Sequence, residues 1–210
     1  IGMLCSLNRI NPSTYDMDKT LRGFIEVVPF GLPSRKPVHT KQVLKGVHPE
    51  IGKKDKLILW GGGIYNWFDP ITLVEAVSRI VKKRKDIKLY FLGLKHPNPH
   101  VPEMKMCTEA IKLSEELGLK DKYIFFNYDW VPYEERENYL LEADIGISTH
   151  LNHVETNFSF RTRLLDYLWA GLPIISTKGD SMSDLVERND LGLTVEAENV
   201  EELEAAIMNL

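Results

Sequence analysis

Lys56-Leu57-Ile58-Leu59-Trp60-Gly61-Gly62-Gly63, followed by Asp69-Pro70 and then by Ile71, Val74, Val77, Ile80 and Val81, is the stretch whose reading decides the fold. A run of strand length, apolar on both faces, ends in three glycines. Asp69 has the character of an N-cap, and proline is favoured at the first helical position because its missing N–H has no partner there anyway. The apolar residues that follow recur at steps of three and four, the period of a helix. Strand, tight turn and helix make half of a βαβ unit.

The cycle repeats along the chain. Lys88-Leu89-Tyr90-Phe91-Leu92 closes on Gly93, and a helix is predicted over 103–117 with Gly118 as its stop. Tyr123-Ile124-Phe125-Phe126 is a third strand, a short helix follows over 134–141, and Ala143–Ser148 is a fourth strand. A helix over 161–170, ended by Gly171, leads to a fifth strand at Leu172–Ser176, a helix near 183–187, a sixth strand at Gly192–Val195 and a last helix from Val200. Strands apolar on both faces, alternating with helices, define an α/β fold: a doubly wound, parallel, six-stranded Rossmann-like sheet covered by helices on both faces.

Residues 1–52 differ. Pro12, Pro29, Pro33, Pro37 and Pro49 interrupt them, and Phe24–Val28 alone reads as a strand. The expected organisation is a trailing segment of a preceding domain plus linker over 1–52, and the doubly wound domain over 53–210. A chain that opens at Ile1 reads as a piece of something longer.

Composition narrows the function. The 210 residues carry 26 Lys and Arg against 30 Asp and Glu, so the net charge of −4 and the lack of a basic run argue against a nucleic-acid groove. No apolar run approaches the roughly 20 residues that span a bilayer. Cys5 and Cys107 match no metal spacing and make a disulfide framework an unsuitable reading. The expected compartment is the cytoplasm, with peripheral membrane association left open for a longer protein.

In an open parallel sheet, ligands bind beyond the carboxyl ends of the strands. Gly61–Gly63 permits close backbone approach there, but no Gly-Lys-Ser/Thr follows to make a P-loop. Asn66 stands where a dinucleotide fingerprint needs glycine, and the second strand ends without an acidic residue for a ribose. The richest constellation is Glu155–Asp166. On a helix starting near Ser159, Arg161, Leu164, Leu165 and Leu168 would face the sheet, and Ser159, Thr162, Arg163 and Asp166 the opposite side. Asp166 then lies about 7 Å from the helix mouth, similar to the offset between a pyrophosphate and its ribose diol. Two arginines at the positive end of a helix oppose the dipole unless an anion binds there, or unless they pair with local carboxylates such as Glu155 and Asp166. His150 and His153 are spaced poorly for a metal, and no metal or cofactor is expected.

The segment Phe158–Pro173, with Asp166-Tyr167-Leu168-Trp169-Ala170-Gly171-Leu172-Pro173, resembles the signature helix of retaining glycosyltransferases of the GT-B fold, family 4. There an acidic residue precedes a small or apolar triplet, Gly-x-Pro and a strand. Val27-Val28-Pro29-Phe30-Gly31 resembles the interdomain strand of that family, and the successive strand-and-turn segments follow its order. The resemblance implies the nucleotide-sugar donor-binding half of a glycosyltransferase, with the acceptor domain preceding it. It implies transfer from a UDP-, GDP- or TDP-sugar to an acceptor hydroxyl with retention, and a piece inactive by itself.

Carried onto this chain, Asp166 takes the carboxylate that holds the ribose hydroxyls, and Glu155 the one that contacts the donor sugar. The amides of Phe160 and Arg161 would meet the diphosphate, with Thr162 beside them. Val131 would border the base, and Gly62 and Gly63 would lie beside the phosphates. Ten residues separate Glu155 from Asp166 where the family has seven, and Phe158 occupies the expected first position. The first loop, Gly63-Ile64-Tyr65-Asn66-Trp67, lacks the family's arginine and lysine, so Arg161, Arg163 or Lys95 is expected to supply that charge. The competing readings are a NAD-dependent Rossmann oxidoreductase and a non-catalytic relative retained as an interaction module.

Overall fold

The computed structural model describes residues 1–26, 28, 30–94, 98 and 100–209. They divide into two compact units, Ile1–Gly31 and Leu32–Leu210. The first holds two short helices, α1 (Gly2–Ser6) and α2 (Pro12–Met17). The side chain of Asn11 caps α2 by accepting from the amide of Thr14, whose hydroxyl in turn accepts from the amide of Asn11. The strand expected at Phe24–Val28 is absent from the described residues of that span; Val27 and Pro29 lie outside them.

In the second unit, β1 (Lys56–Trp60), β2 (Ile87–Phe91), β3 (Ile124–Phe126), β4 (Ile145–Ser148), β5 (Ile174–Thr177) and β6 (Gly192–Val195) form one sheet. Its order is β3-β2-β1-β4-β5-β6, and every pairing is parallel. The helices are α3 (Pro70–Lys83), α4 (Lys105–Glu116), α5 (Arg136–Glu142), α6 (Val154–Phe158), α7 (Arg163–Ala170), α8 (Ser181–Arg188) and α9 (Val200–Met208). Two cores sandwich the sheet. Val74, Val77 and Ile80 of α3, Ala110 of α4 and Leu203 and Ile207 of α9 pack on Ile58, Leu89 and Ile124. Leu140, Leu164, Tyr167 and Val186 pack on Leu57, Leu59 and Ile174 from the other side. The doubly wound expectation is met strand for strand.

The boundary expected at 52/53 falls instead at 31/32. Leu44 and Ile51 are buried in the core, and polar side chains of α5 fasten the segment before them. The carboxylate of Glu142 accepts the amides of Val43, Leu44 and Lys45 at 2.7–2.8 Å, and Asn138 Oδ1 accepts those of Thr40 and Lys41. Prolines break this segment's secondary structure without keeping it from packing.

The order in which strands are added reverses between β1 and β4, where ladder pairing is confined to Ile58 with Ile145 and Leu59 with Gly146. Tyr167 closes that junction. Its hydroxyl accepts the amide of Gly61 at 2.7 Å and faces the carbonyls of Leu59 (3.1 Å) and Ile147 (3.0 Å). Its ring occupies the space above Gly146, where an added Cβ would sit 2.4 Å from a ring carbon. Burial pushes the Tyr167 phenol up to about 12, so it is neutral and keeps its proton to donate.

Candidate functional site

A cavity of about 750 Å³ opens at the carboxyl ends of β1, β2 and β3. Gly61–Tyr65 line it after β1, Leu92–Leu94 after β2 and Tyr128–Val131 after β3. Val101, Pro102 and Met104, ahead of α4, add apolar surface with Glu103 among them, and Arg136, Leu140 and Asp166 come from α5 and α7. The position follows from the topology: near the reversal of strand order, neighbouring loops diverge and leave a crevice. Gly62 holds φ +150°, a backbone conformation that suits glycine. Gly93 packs beside it, where an added Cβ would stand 3.6 Å from the Gly62 carbonyl carbon, an ordinary contact.

Arg136 and Asp166 put opposite charges into this largely apolar space. Arg136 Nε donates to Asp166 Oδ1 at 3.1 Å, and its Nη1 donates to the carbonyl of Tyr133 at 2.8 Å. The guanidinium is stacked 3.5 Å from the Tyr133 ring centroid and 4.7 Å from that of Trp169. Tyr128, Trp130 and Tyr133 are exposed aromatics at the cavity edge, suited to lie against a flat ligand group.

Four of the residues expected from sequence, Gly62, Gly63, Val131 and Asp166, meet in this cavity. Glu155, Phe160, Arg161, Thr162 and Arg163 do not line it, and Lys95 lies outside the described residues. The single helix expected from about Ser159 is two. α6 stops at Phe158 because Ser159 turns extended (φ −81°, ψ 145°), and α7 begins at Arg163 after Thr162. The amides of Phe160 and Arg161 therefore precede the helix mouth instead of forming it. The Ser159 hydroxyl binds the side chain of Glu155, which fixes this break.

The two arginines have different surroundings. Arg161 is buried and forms a two-pronged pair with Glu155, Nη2 to Oε2 at 2.9 Å and Nη1 to Oε1 at 3.3 Å. Its Nε lies 3.4 Å from Asp180 Oδ2, which also has His150 Nε2 at 3.5 Å, while Asp180 Oδ1 accepts the amides of Met182 and Ser183. Although burial opposes ionisation, the Ser159 and Arg161 contacts hold the Glu155 carboxyl below its usual value. Pairing of an arginine with a local carboxylate thus holds for Arg161 with Glu155, whereas Asp166 pairs with Arg136, a residue on another helix that spacing did not reveal.

Arg163, expected on the outward face with Asp166, is turned inward with Leu164 and Tyr167. The buried face of α7 is the stripe of Arg163, Leu164 and Tyr167, not that of Leu164, Leu165 and Leu168, and it lays the guanidinium over the rings of Phe68 (4.1 Å) and Trp60 (4.6 Å). There Nη2 donates to the carbonyl of Gly63 at 2.7 Å.

A six-stranded parallel sheet in 3-2-1-4-5-6 order, with a glycine-lined crevice at its carboxyl edge, defines a Rossmann-like class of α/β domain. The family model for glycosyl transferases group 1 matches residues 55–210, and the chain belongs to that family. Its fold is that of the C-terminal domain of GT-B glycosyltransferases. The C-terminal domain of LpcC, a glycosyl transferase group 1 family protein from Francisella tularensis, aligns with TM-score 0.59 and 19% identity over 74% of each chain. WaaG, a glycosyltransferase involved in lipopolysaccharide biosynthesis, aligns with TM-score 0.63 and 17% identity over 88% of this chain and 46% of its own. HepE from Anabaena, solved in complex with UDP, aligns with TM-score 0.59 and 14% identity over 74% of this chain and 39% of its own. The chain thus spans less than half of the latter two. A search of curated protein sequences found no match. Among the described residues no helix is long and apolar enough to cross a membrane.

Proposed function

We propose that this domain binds the nucleoside-diphosphate sugar donor of a retaining glycosyltransferase, for transfer to an acceptor hydroxyl. The observation that carries the reading is the cavity itself. It combines a side-chain-free glycine wall, exposed aromatics and a carboxylate held by Arg136. The base lies against Trp130 and Val131, Asp166 accepts from the ribose hydroxyls, and the diphosphate runs along Gly62–Gly63. Glu155, held by Arg161 outside the cavity lining, is the carboxylate that the family resemblance assigns to the sugar. HepE, of the same fold, has been solved with UDP-glucose, which supports a nucleotide-sugar ligand for this chain.

In the reaction the bond between the anomeric carbon and the diphosphate oxygen breaks, and the leaving diphosphate keeps the electron pair. The acceptor oxygen bonds to the same carbon from the face the leaving group departs, and its proton passes to a diphosphate oxygen. Preorganised amides and buried positive charge meet the growing negative charge without the reorganisation that water would require. The acceptor is held by a preceding domain in this reading.

The test is a thermal-shift panel of UDP, GDP, TDP and their sugars at millimolar concentration. One base should raise the melting temperature well above the others, and Asp166→Ala should reduce the shift. Absence of a shift with every diphosphate, together with quenching of NADH fluorescence on titration, would favour the oxidoreductase reading instead.

A further inference from the structure

Arg163 is a cation enclosed without a carboxylate. It is 9% exposed, and among the described residues no acidic side chain forms an ion pair with it. Its Nη1 is buried without a hydrogen-bond partner. Neighbouring Arg161 differs, since Glu155 and Asp180 answer its charge. A buried ion without a counter-charge is costly, which leaves Arg163 poised to gain from a nearby anion.

The geometry gives that anion a place. The guanidinium lies against the backbone of the glycine turn, bonded to the Gly63 carbonyl and 3.8 Å from the position a Cβ on Gly62 would take. Gly62 and Gly63 also line the cavity. Residues 61–69 contain no Lys or Arg. We infer that Arg163 is the electrostatic positioning residue for the donor's diphosphate, its charge acting through the Gly62–Gly63 turn in place of a first-loop cation. This rests on the donor-binding reading above. Burial pushes the guanidinium down to about 10, with Arg161 adding to the push and Tyr167 opposing it, so Arg163 remains a cation at neutral pH. An anion across the turn would favour the charged form further.

The test compares binding of UDP, GDP and TDP with binding of uridine, guanosine and thymidine by calorimetry. It uses the whole chain as wild type, Arg163→Met, Arg163→Gln and Arg163→Lys. Methionine suits the aromatic shelf of Trp60 and Phe68, and glutamine is the second neutral variant if methionine disturbs the fold. The expected result is that a neutral side chain lowers the diphosphate-to-nucleoside affinity ratio about tenfold or more, as loss of one nearby charge predicts. Nucleoside binding should hold, and lysine should restore most of the ratio. A ratio unchanged in a folded neutral variant overturns the inference and leaves the donor reading standing. A wild type that binds no nucleoside diphosphate overturns both.

Discussion

The guanidinium of Arg136 and the carboxylate of Asp166, thirty residues apart in sequence, meet at 3.1 Å in the wall of the cavity. Tyr133 and Trp169 hold the arginine from its two aromatic sides. The carboxylate is thereby oriented before any ligand arrives, which lowers the ordering cost of binding.

From this follows the first prediction. Asp166→Ala should weaken nucleoside-diphosphate binding about tenfold to a hundredfold, the range for loss of hydrogen bonds to a charged group. Arg136→Gln should weaken it less, because the carboxylate remains but is no longer held. Calorimetric titration of both variants reads the difference, and equal losses would show that Arg136 does more than orient Asp166.

The junction of β1 and β4 should be intolerant of change. Tyr167→Phe leaves the Gly61 amide and two strand carbonyls without their shared partner, at a cost of about 1–3 kcal/mol. Gly146→Ala drives a methyl group into the Tyr167 ring and should destabilise by about as much or more. Urea unfolding measures both. Their effects should not add, since the two residues share one contact.

The packing of Leu44 and Ile51 makes the domain boundary testable. A chain starting at Leu32 should keep the melting temperature of the full chain within a few degrees, whereas one starting at Lys53 should lose most of its stability or fail to fold. Leu44→Ala alone should cost about 2–5 kcal/mol, as expected for truncating an enclosed leucine. A Lys53 start as stable as the full chain would place the boundary where the prolines had suggested.

Acid should loosen the same segment. Burial raises the Glu142 carboxyl, but the His39 contact and the amides of Val43, Lys45 and Leu44 outweigh it and hold the group below its usual value. Asp144 is held down similarly against burial, by Lys45, the amide of Leu57 and Lys56. A depressed carboxylate contributes stability that is present above its unfolded value, about pH 4, and is lost as pH falls through the folded value. Stability measured by urea should therefore fall below about pH 4. Glu142→Gln should be less stable at pH 7 and flatter with pH below 4.

Much of the fold could be read from local pattern. Apolar five-residue runs, glycine stops and the Asp69-Pro70 start depend on neighbours within one element, and those elements lie where their periodicity puts them. The helix at 159–170 was misread because its start depends on the Glu155 side chain, which captures Ser159 and Arg161 and breaks the run. Arg163 lies on the inward face because Tyr167, one turn later, is the residue the sheet junction buries. Glu137, Asn138 and Glu142 of α5 have the composition of a solvated helix face, yet they are buried because they take up the unpaired amides of residues 38–45.

The sequence by itself determined the alternation of strand and helix, the doubly wound class and the glycine turn, since each rests on residues a few positions apart, and the resemblance it carries singled out Asp166, which lines the cavity. Tertiary structure decided that Arg136 holds Asp166 and that, of the local pairings the sequence allowed, it is Arg161 that takes Glu155, with Asp180. It also decided that Arg163 lies behind the Gly62–Gly63 turn with no acidic partner among the described residues. The partner is six residues away for Arg161 with Glu155, thirty for Arg136 with Asp166, and a hundred for Arg163 with the Gly63 carbonyl. Which partner a charged side chain finds is settled by packing at each of these separations, and no local period encodes it.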